Sequence, residues 1–444
     1  MNMTPKEIVK YLDEYIIGQD DAKRVIALAL RTRYRRMQLD EQMQEEVTPK
    51  NILMIGSTGV GKTEIARRLA KLMSLPFIKV EASKYTEVGF VGRDVESMIR
   101  DLMTNSITIV TKEHQDRNEE NIDAYILNKI VDKLLPPLPK LATDIKKQEY
   151  EASRERMMNR VLDGDMDDKV IEIDMPSPRI EFHADSGSLP PEFMKVQESL
   201  GKVFSSLNKE ENKREVSVKD AAKILRVEAA DKLLDQEAIN SEALKRVQDG
   251  GIIFLDEIDK IAVGSKQEGR SDPSKEGVQR DLLPIVEGST VNTKYGQIST
   301  DHILFIAAGA FHLSKPSDLI PELQGRFPLR VELSSLDEDA LYKILTMTKN
   351  SLLLQYEALL AVENVTLEFS NDAIHSIARL SQLANEKTED IGARRLHTVI
   401  EKVIEDISFN ADDHDGEKVT ITKGLVHEKL DDLIENEDST RYIL

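Results

Sequence analysis

A glycine-rich segment has the spacing G-x-x-x-x-G-K-[ST]: it reads Gly56-Ser57-Thr58-Gly59-Val60-Gly61-Lys62-Thr63. In this pattern glycines let backbone N–H groups curl around phosphates, Lys62 offers charge to the β and γ phosphates, and Thr63 offers a hydroxyl to Mg²⁺. A following helix directs its positive end at the anion. A chance glycine turn is the alternative. We call the segment the P-loop and predict that it binds ATP with Mg²⁺. The predicted contacts are Gly59, Val60, Gly61, Lys62, Thr63 and Glu64.

Two adjacent carboxylates, Asp256 and Glu257, end the apolar run Ile252 to Leu255. A parallel strand of this kind would deliver both acids to the carboxyl edge of a sheet, where α/β folds bind ligands. Asp256 is then placed for the Mg²⁺ shell, and Glu257 for polarising the attacking water. Alone, the run is a weak signal, and Glu257 could be a solvated strand end. Together with the P-loop it predicts ATP hydrolysis.

Two arginines could meet the phosphates from other directions. Arg326 lies between Gly325 and Phe327-Pro328, and an arginine on such a loop could reach a γ-phosphate in a neighbouring subunit. Arg394 lies where the segment Gly392-Ala393-Arg394-Arg395 begins a helix. Considered singly, each is better explained as a surface arginine in an ion pair.

Short apolar runs alternate with helical patterns around these motifs. Runs at 51–55, 77–80, 252–255 and 303–307 suit buried parallel strands, and a helix is expected from Lys62 to Met73. This alternation predicts an α/β fold with a parallel sheet covered on both faces. Residues 4–47 read as helical, with Thr4, Pro5 and Glu7 in capping-box order.

The organisation along the chain predicts three parts. The nucleotide-binding domain is discontinuous, formed by residues 1–109 and 244–332. Residues 110–243, rich in Lys, Glu, Asp and Gln, are predicted to form an inserted, mainly helical domain. Residues 333–444 are predicted to form a mostly helical α/β C-terminal domain.

Composition narrows the classes of function. The net charge is −20, which argues against binding along nucleic acid because that binding depends on clustered Lys and Arg. The chain has no cysteine, so disulfides and cysteine nucleophiles are impossible. Neither a secretory signal nor an apolar stretch near 20 residues is evident, and we expect a cytoplasmic protein without a membrane partner.

The combination resembles the AAA+ ATPases of the Clp/Hsp100 group. The resemblance runs essentially from end to end and rests on the P-loop, the Asp256-Glu257 pair, and three further segments: 15–19 (Tyr-Ile-Ile-Gly-Gln), 321–326 (Pro-Glu-Leu-Gln-Gly-Arg) and 392–394 (Gly-Ala-Arg). The insertion looks like an intermediate domain that other Clp ATPases lack. The resemblance implies a hexameric ring that unfolds proteins and passes them to a partner peptidase.

The resemblance also implies roles for single residues. Ile17 would contact the adenine, Arg326 would be the arginine finger, Glu322 would line the same inter-subunit site, and Arg394 would be the sensor-2 arginine. The segment Gly89-Phe90-Val91-Gly92 looks like the substrate-gripping pore loop, and Tyr442-Ile443-Leu444 like the tail that docks on the peptidase. A buried Phe90 in a turn and a tail packed on its own domain are the plain alternatives.

One departure and two rival functions stay open. The stretch 303–311 carries no polar residue where AAA+ proteins place sensor 1, so no sensor-1 residue is assigned. A nucleic-acid motor is disfavoured by charge and by the lack of a basic segment interleaved with aromatics. A remodelling chaperone that never engages a peptidase is separated from the unfoldase only by the tail and the resemblance.

Overall fold

The structure is a computed structural model, and it describes residues 3–47, 50–86, 93–138, 143–174, 213–262 and 273–435. The predicted pore loop at 89–92 and the predicted tail at 442–444 lie outside these residues. In the described part of the chain, no helix combines the length and apolar character needed to cross a bilayer.

The chain divides into two compact units. Unit 1 contains residues 1–109 and 241–444, and unit 2 contains residues 110–240. The P-loop, the Asp256-Glu257 pair and both singled-out arginines belong to unit 1, so the candidate site is built within it.

A five-stranded parallel sheet forms the centre of unit 1. Its order is β2-β5-β8-β1-β9, where β1 is Ile52–Ile55, β2 is Phe77–Glu81, β5 is Ile252–Asp256, β8 is Leu304–Gly309 and β9 is Leu329–Glu332. The strands β5 and β8 are almost wholly buried, because helices cover both faces of a parallel sheet. The predicted α/β fold is confirmed.

Helices surround this sheet, and a short antiparallel pair, β6 (Thr290–Thr293) with β7 (Gly296–Ser299), precedes β8. The helices that lie wholly or partly in unit 1 and come before β9 are α1 (Pro5–Asp13), α2 (Asp20–Arg36), α3 (Glu41–Glu46), α4 (Lys62–Leu72), α5 (Ser97–Arg117), α9 (Gln236–Gly250), α10 (Pro273–Glu287) and α11 (Pro321–Arg326).

The predicted cap of the first helix is present. The Thr4 hydroxyl accepts from the Glu7 N–H, and the Glu7 carboxylate accepts from the Thr4 N–H at 2.7 Å. Both bonds satisfy N–H groups that a helix start leaves unpaired.

The last part of unit 1 has a hydrophobic core of its own. The helices are α12 (Glu338–Thr346), α13 (Leu352–Ala361), α14 (Asn371–Lys387), α15 (Arg394–Phe409) and α16 (Lys423–Glu435), with a parallel pair, β10 (Thr366–Phe369) and β11 (Lys418–Ile421). Side chains such as Leu341, Ile377 and Val399 are fully buried in this core. It is an α/β arrangement dominated by helices.

Unit 2 is mainly helical. It contains α6 (Glu119–Leu134), α7 (Asp144–Leu162) and α8 (Val218–Leu233), with an antiparallel pair, β3 (Val170–Asp174) and β4 (Lys213–Ser217). Apolar residues at helical spacing on α6, Ile122, Ile126 and Ile130, pack with Ile171 and Leu225 into a small core.

Candidate nucleotide site

The P-loop connects β1 to α4 and begins at the carboxyl edge of the sheet. Gly59 and Gly61 have φ of 78° and 102°, values that glycine adopts without steric cost. Val60 is only 2% exposed and packs in the core, so its backbone rather than its side chain belongs to the loop surface. The turn and the start of α4 thus form a backbone cradle suited to an anion.

Lys62 folds back over the loop that carries it. Its Nζ donates to the carbonyl oxygens of Gly56 and Ser57, at 2.6 and 2.7 Å. Burial lowers the pKa of Lys62, the charges of Asp256 and Asp259 oppose that shift, and Arg394 lowers it further. Lys62 is therefore within electrostatic reach of both the acids and the second arginine.

Asp256 is the last residue of β5, and Glu257 follows it in a left-handed backbone conformation with φ of 57°. A non-glycine residue pays of order 1–3 kcal/mol for such a conformation, which recurs at functional sites. The Glu257 N–H donates to Asp256 Oδ1 at 3.0 Å, and Ser83 Oγ donates to Glu257 Oε2 at 3.2 Å. The turn points the two neighbouring carboxylates in different directions. As a result, Asp256 is mostly buried and Glu257 is exposed.

Lys79, on the neighbouring strand β2, forms an ion pair with Asp256: Nζ lies 2.7 Å from Oδ2. The strand register places Lys79 opposite Phe254, two residues before the acid. Sequence reasoning missed this lysine, since no spacing rule connects β2 to β5. It adds a second positive charge beside the P-loop lysine.

The turn before α15 lies directly against the P-loop. Ala393 N–H donates to the Gly59 carbonyl at 3.2 Å, and a Cβ on residue 59 would lie 1.9 Å from the Ile391 carbonyl oxygen. Gly392, with φ of 57°, is also in close contact with the P-loop: a Cβ on residue 392 would lie 2.7 Å from the Gly59 carbonyl carbon. The predicted P-loop and the predicted Gly-Ala-Arg segment are thus in backbone contact.

The two arginines of this turn have separate environments. Arg395 is 4% exposed, and it donates to Asn385 Oδ1, Thr388 Oγ1 and the Glu389 carbonyl at 2.8 to 3.1 Å. Arg394 is exposed at the first position of α15. Arg395 therefore stabilises the turn, and Arg394 is left available to a ligand at the P-loop.

Arg326 lies at the end of α11, whereas the sequence suggested a loop; Pro321 at the first helical position starts this single short helix. Its Nε and one terminal nitrogen contact Glu287 Oε1 at 2.9 and 2.7 Å. Arg326 and Glu322 are both exposed on this helix, four residues apart. Among the described residues, the hydrogen bond and ion pair of the Arg326 side chain go to Glu287 and not to the P-loop.

The Tyr-Ile-Ile-Gly-Gln segment borders the same region. Ile17 is half-buried, and Ile16, which precedes it, is buried, with its Cγ2 atom 3.8 Å from where a Cβ on Gly61 would lie. The segment is therefore next to the P-loop, with Ile17 the more accessible of the two side chains.

The stretch 303–311, in which no sensor-1 residue was assigned, includes the carboxyl end of β8, where little space is left beside the backbone. At the carboxyl end of β8, a Cβ on Gly309 would lie 2.8 Å from Asp259 Oδ1 and 2.7 Å from the Phe311 ring. The Phe311 ring and the Asp259 carboxylate thus occupy the space beside residue 309.

Sequence comparisons with known proteins show similarity to AAA ATPases along the whole chain. Residues 52–125 match the family model of the ATPase family associated with various cellular activities (AAA), and residues 151–330 match an AAA domain model (Cdc48 subfamily). The chain is 62% identical to the ATP-dependent protease ATPase subunit HslU of Helicobacter pylori (strain G27) over all 444 residues, which is 99% of the relative. It is 61% identical to the HslU of Campylobacter jejuni subsp. jejuni over the full length of both chains. The expected resemblance to AAA+ ATPases is confirmed.

Proposed function

The chain belongs to the HslU family of AAA ATPases, and from this premise we propose that it unfolds proteins with the energy of ATP hydrolysis and passes them to an HslV-type peptidase. The observation that carries the proposal is full-length similarity to ATPase subunits of an ATP-dependent protease. No serine–histidine–aspartate arrangement stands out in the sequence, so cleavage would belong to the partner.

The donor set suits ATP with Mg²⁺. The P-loop N–H groups and Lys62 would hold the phosphates, while the Thr63 hydroxyl and the Asp256 carboxylate would hold the metal, oxygen donors that Mg²⁺ prefers. When bound, Mg²⁺ would neutralise charge that develops on the phosphate oxygens. The exposed Glu257 carboxylate would accept a proton from the attacking water.

Completion of the site would need a second subunit. Arg326 and Glu322 would face the nucleotide of a neighbour in a hexameric ring, and Arg394 would approach the phosphates within the same subunit. Ile17 would contact the adenine. Arg326 would have to exchange its ion pair with Glu287 for phosphate oxygens, a favourable exchange because phosphate carries more charge and more acceptors.

Phe90, which is flanked by Gly89 and by Val91-Gly92, would move the substrate. Its aromatic ring would hold apolar parts of the unfolded substrate chain while the hexameric ring changes conformation. The tail residues Tyr442, Ile443 and Leu444 would dock on the peptidase. A cytoplasmic location fits a soluble ring that works on other proteins.

The test is degradation of a folded fluorescent protein by this chain mixed with an HslV-type peptidase, with and without ATP. ATP-dependent loss of fluorescence together with new fragments is the expected result. Loss of fluorescence without fragments would favour a stand-alone chaperone, and ATPase activity stimulated by DNA would favour a nucleic-acid motor. Either result would overturn the proposal.

Three variants separate its parts. Lys62→Ala should abolish degradation by preventing ATP binding. Phe90→Ala should keep basal ATPase but stop unfolding, and deletion of residues 442–444 should stop degradation while leaving ATPase and ring assembly intact. If Phe90→Ala still unfolds the substrate, the alternative of a buried Phe90 in a turn is favoured. If the deletion of residues 442–444 leaves degradation unchanged, the tail does not dock on the peptidase.

A further inference from the structure

The carboxylate of Asp390 collects hydrogen bonds from three different segments of unit 1. Its Oδ2 accepts from Ser57 Oγ at 2.8 Å and from Ser335 Oγ at 3.0 Å. Its Oδ1 accepts from the Gly392 N–H at 2.9 Å. Ser57 is in the P-loop, Ser335 follows β9, and Gly392 is in the turn that leads to Arg394.

The same three segments touch through backbone atoms. Ala393 N–H donates to the Gly59 carbonyl at 3.2 Å, and Leu333 N–H donates to the Ile55 carbonyl at 2.8 Å, at the exit of β1. The first bond joins the P-loop to the turn, and the second joins the end of β1, which leads into the P-loop, to the segment after β9. The Asp390 side chain joins all three segments at one point, and Ser57, with 8% exposure, is buried at that point.

We propose that Asp390 is a positioning residue for the nucleotide site. It fixes the positions of the P-loop, the segment after β9 and the turn bearing Arg394 relative to one another. The inference rests on the proposed nucleotide site. Asp390 acts through Ser57 and Arg394 and does not itself contact the phosphates. Its physical effect is pre-organisation, since a cradle already held in its binding geometry loses less entropy when the anion arrives.

The observed contacts suit a carboxylate. All three partners are donors, and a carboxylate has two oxygens that accept and no proton to donate. An asparagine at this position keeps one oxygen that can accept from the Gly392 N–H, and its N–H₂ group can donate to the two serine hydroxyls, but it loses the negative charge. The variant Asp390→Asn should therefore be intermediate between the parent and Asp390→Ala.

The experiment measures the Kd for ATP and the steady-state kcat of the full chain. We expect Asp390→Ala to weaken ATP binding about tenfold, which corresponds to about 1.4 kcal/mol, and to lower kcat as well because Arg394 is no longer held. Glu389→Gln is the matched control. It removes a neighbouring carboxylate that is exposed, and the P-loop contacts of Asp390 stay intact, so it should behave as the parent.

A double-mutant cycle with Ser57→Ala separates positioning from general destabilisation. If the two residues act as one contact, the double variant should bind ATP no more weakly than Asp390→Ala alone. Additive losses would overturn the inference, as would parental Kd and kcat in Asp390→Ala. If Asp390→Ala does not fold, Ser57→Ala and Ser335→Ala read the same bonds from the donor side, and parental kinetics in both would overturn it.

Lys62→Ala distinguishes this inference from the proposed site. If Lys62→Ala loses ATP binding while Asp390→Ala keeps parental binding, only the role of Asp390 fails. If both variants keep parental binding, the nucleotide site itself is wrongly assigned.

Discussion

Gln19 and Ser334 lie 315 positions apart in sequence and exchange two hydrogen bonds: Gln19 Nε2 donates to the Ser334 carbonyl at 2.8 Å, and the Ser334 N–H donates to Gln19 Oε1 at 3.0 Å. Gln19 holds its side chain there from a left-handed backbone position, with φ of 60°, at the start of α2. One amide group thereby fixes the segment that carries Ile17 against the chain that leaves β9.

Gln19→Ala should lower the free energy of unfolding by about 1 kcal/mol, since two modest hydrogen bonds are lost and the Ser334 groups can still reach water. Urea unfolding would measure it. Gln382→Ala is the control, because the Gln382 amide contacts Glu386 one turn along the same exposed helix face. Equal losses in both variants would contradict a fixing role for Gln19.

Glu257→Gln should bind ATP with parental affinity yet hydrolyse it at least about a hundredfold more slowly, as expected when a general base is removed. The measurements are ATP binding by titration and release of phosphate. Glu81→Gln, at the end of the neighbouring strand β2, is the control and should keep the parental rate. A parental rate in Glu257→Gln would show that another group activates the water.

Arg394→Ala and Arg395→Ala should fail in different ways. Arg395→Ala should lower the free energy of unfolding by about 3 kcal/mol. Loss of the buried guanidinium leaves Asn385, Thr388 and the Glu389 carbonyl without their hydrogen-bond donor. Arg394→Ala should leave the melting temperature unchanged and slow ATP turnover. Melting curves and ATPase rates on both variants check this, and a reversed pattern would exchange the two roles.

The stability of unit 1 should depend on His302 on the acid side of neutrality. Burial lowers the pKa of His302, and the positive charge of Arg36, which contacts its Nδ1, lowers it further. The unfolded chain takes up a proton near pH 6.5, before the folded chain does. The stabilisation is thus complete above pH 6.5 and is lost as the pH falls from that value toward the folded pKa.

The variant His302→Asn tests this dependence, since its amide oxygen can still accept from Arg36. Urea unfolding at pH 8 and pH 5.5 should show a smaller loss of stability on acidification in the variant than in the parent. An equal loss in both would assign the dependence to other groups.

Four of the five strands of the central sheet and the P-loop were predictable because they are local signals, whereas β9 was not among the predicted runs. The strand β5, from Ile252 to Asp256, is a short apolar run, and the P-loop has fixed spacing between residues of distinctive type. The structure moves the ends of the four predicted strands by one or two residues.

The partners of the predicted residues were not predictable, since they come from distant sequence. Lys79 reaches Asp256 from the next strand, and Asp390 reaches Ser57 across 333 positions. A lone Lys on a strand or a lone Asp two residues before a glycine carries no signal of its own. Only the tertiary fold shows which of the 80 acidic and 60 basic residues meet at the site.

The close approach of Gly59 to the Ile391 carbonyl has a consequence for protein engineering. The consensus pattern of the loop leaves residue 59 free, yet the turn before α15 leaves no volume for any side chain there. A chimaera that combined this ATPase core with the C-terminal part of a more distant relative would have to transfer Gly59 and residues 391–393 together. The residue types of the two segments depend on each other, although 331 residues of sequence lie between Gly59 and Ile391.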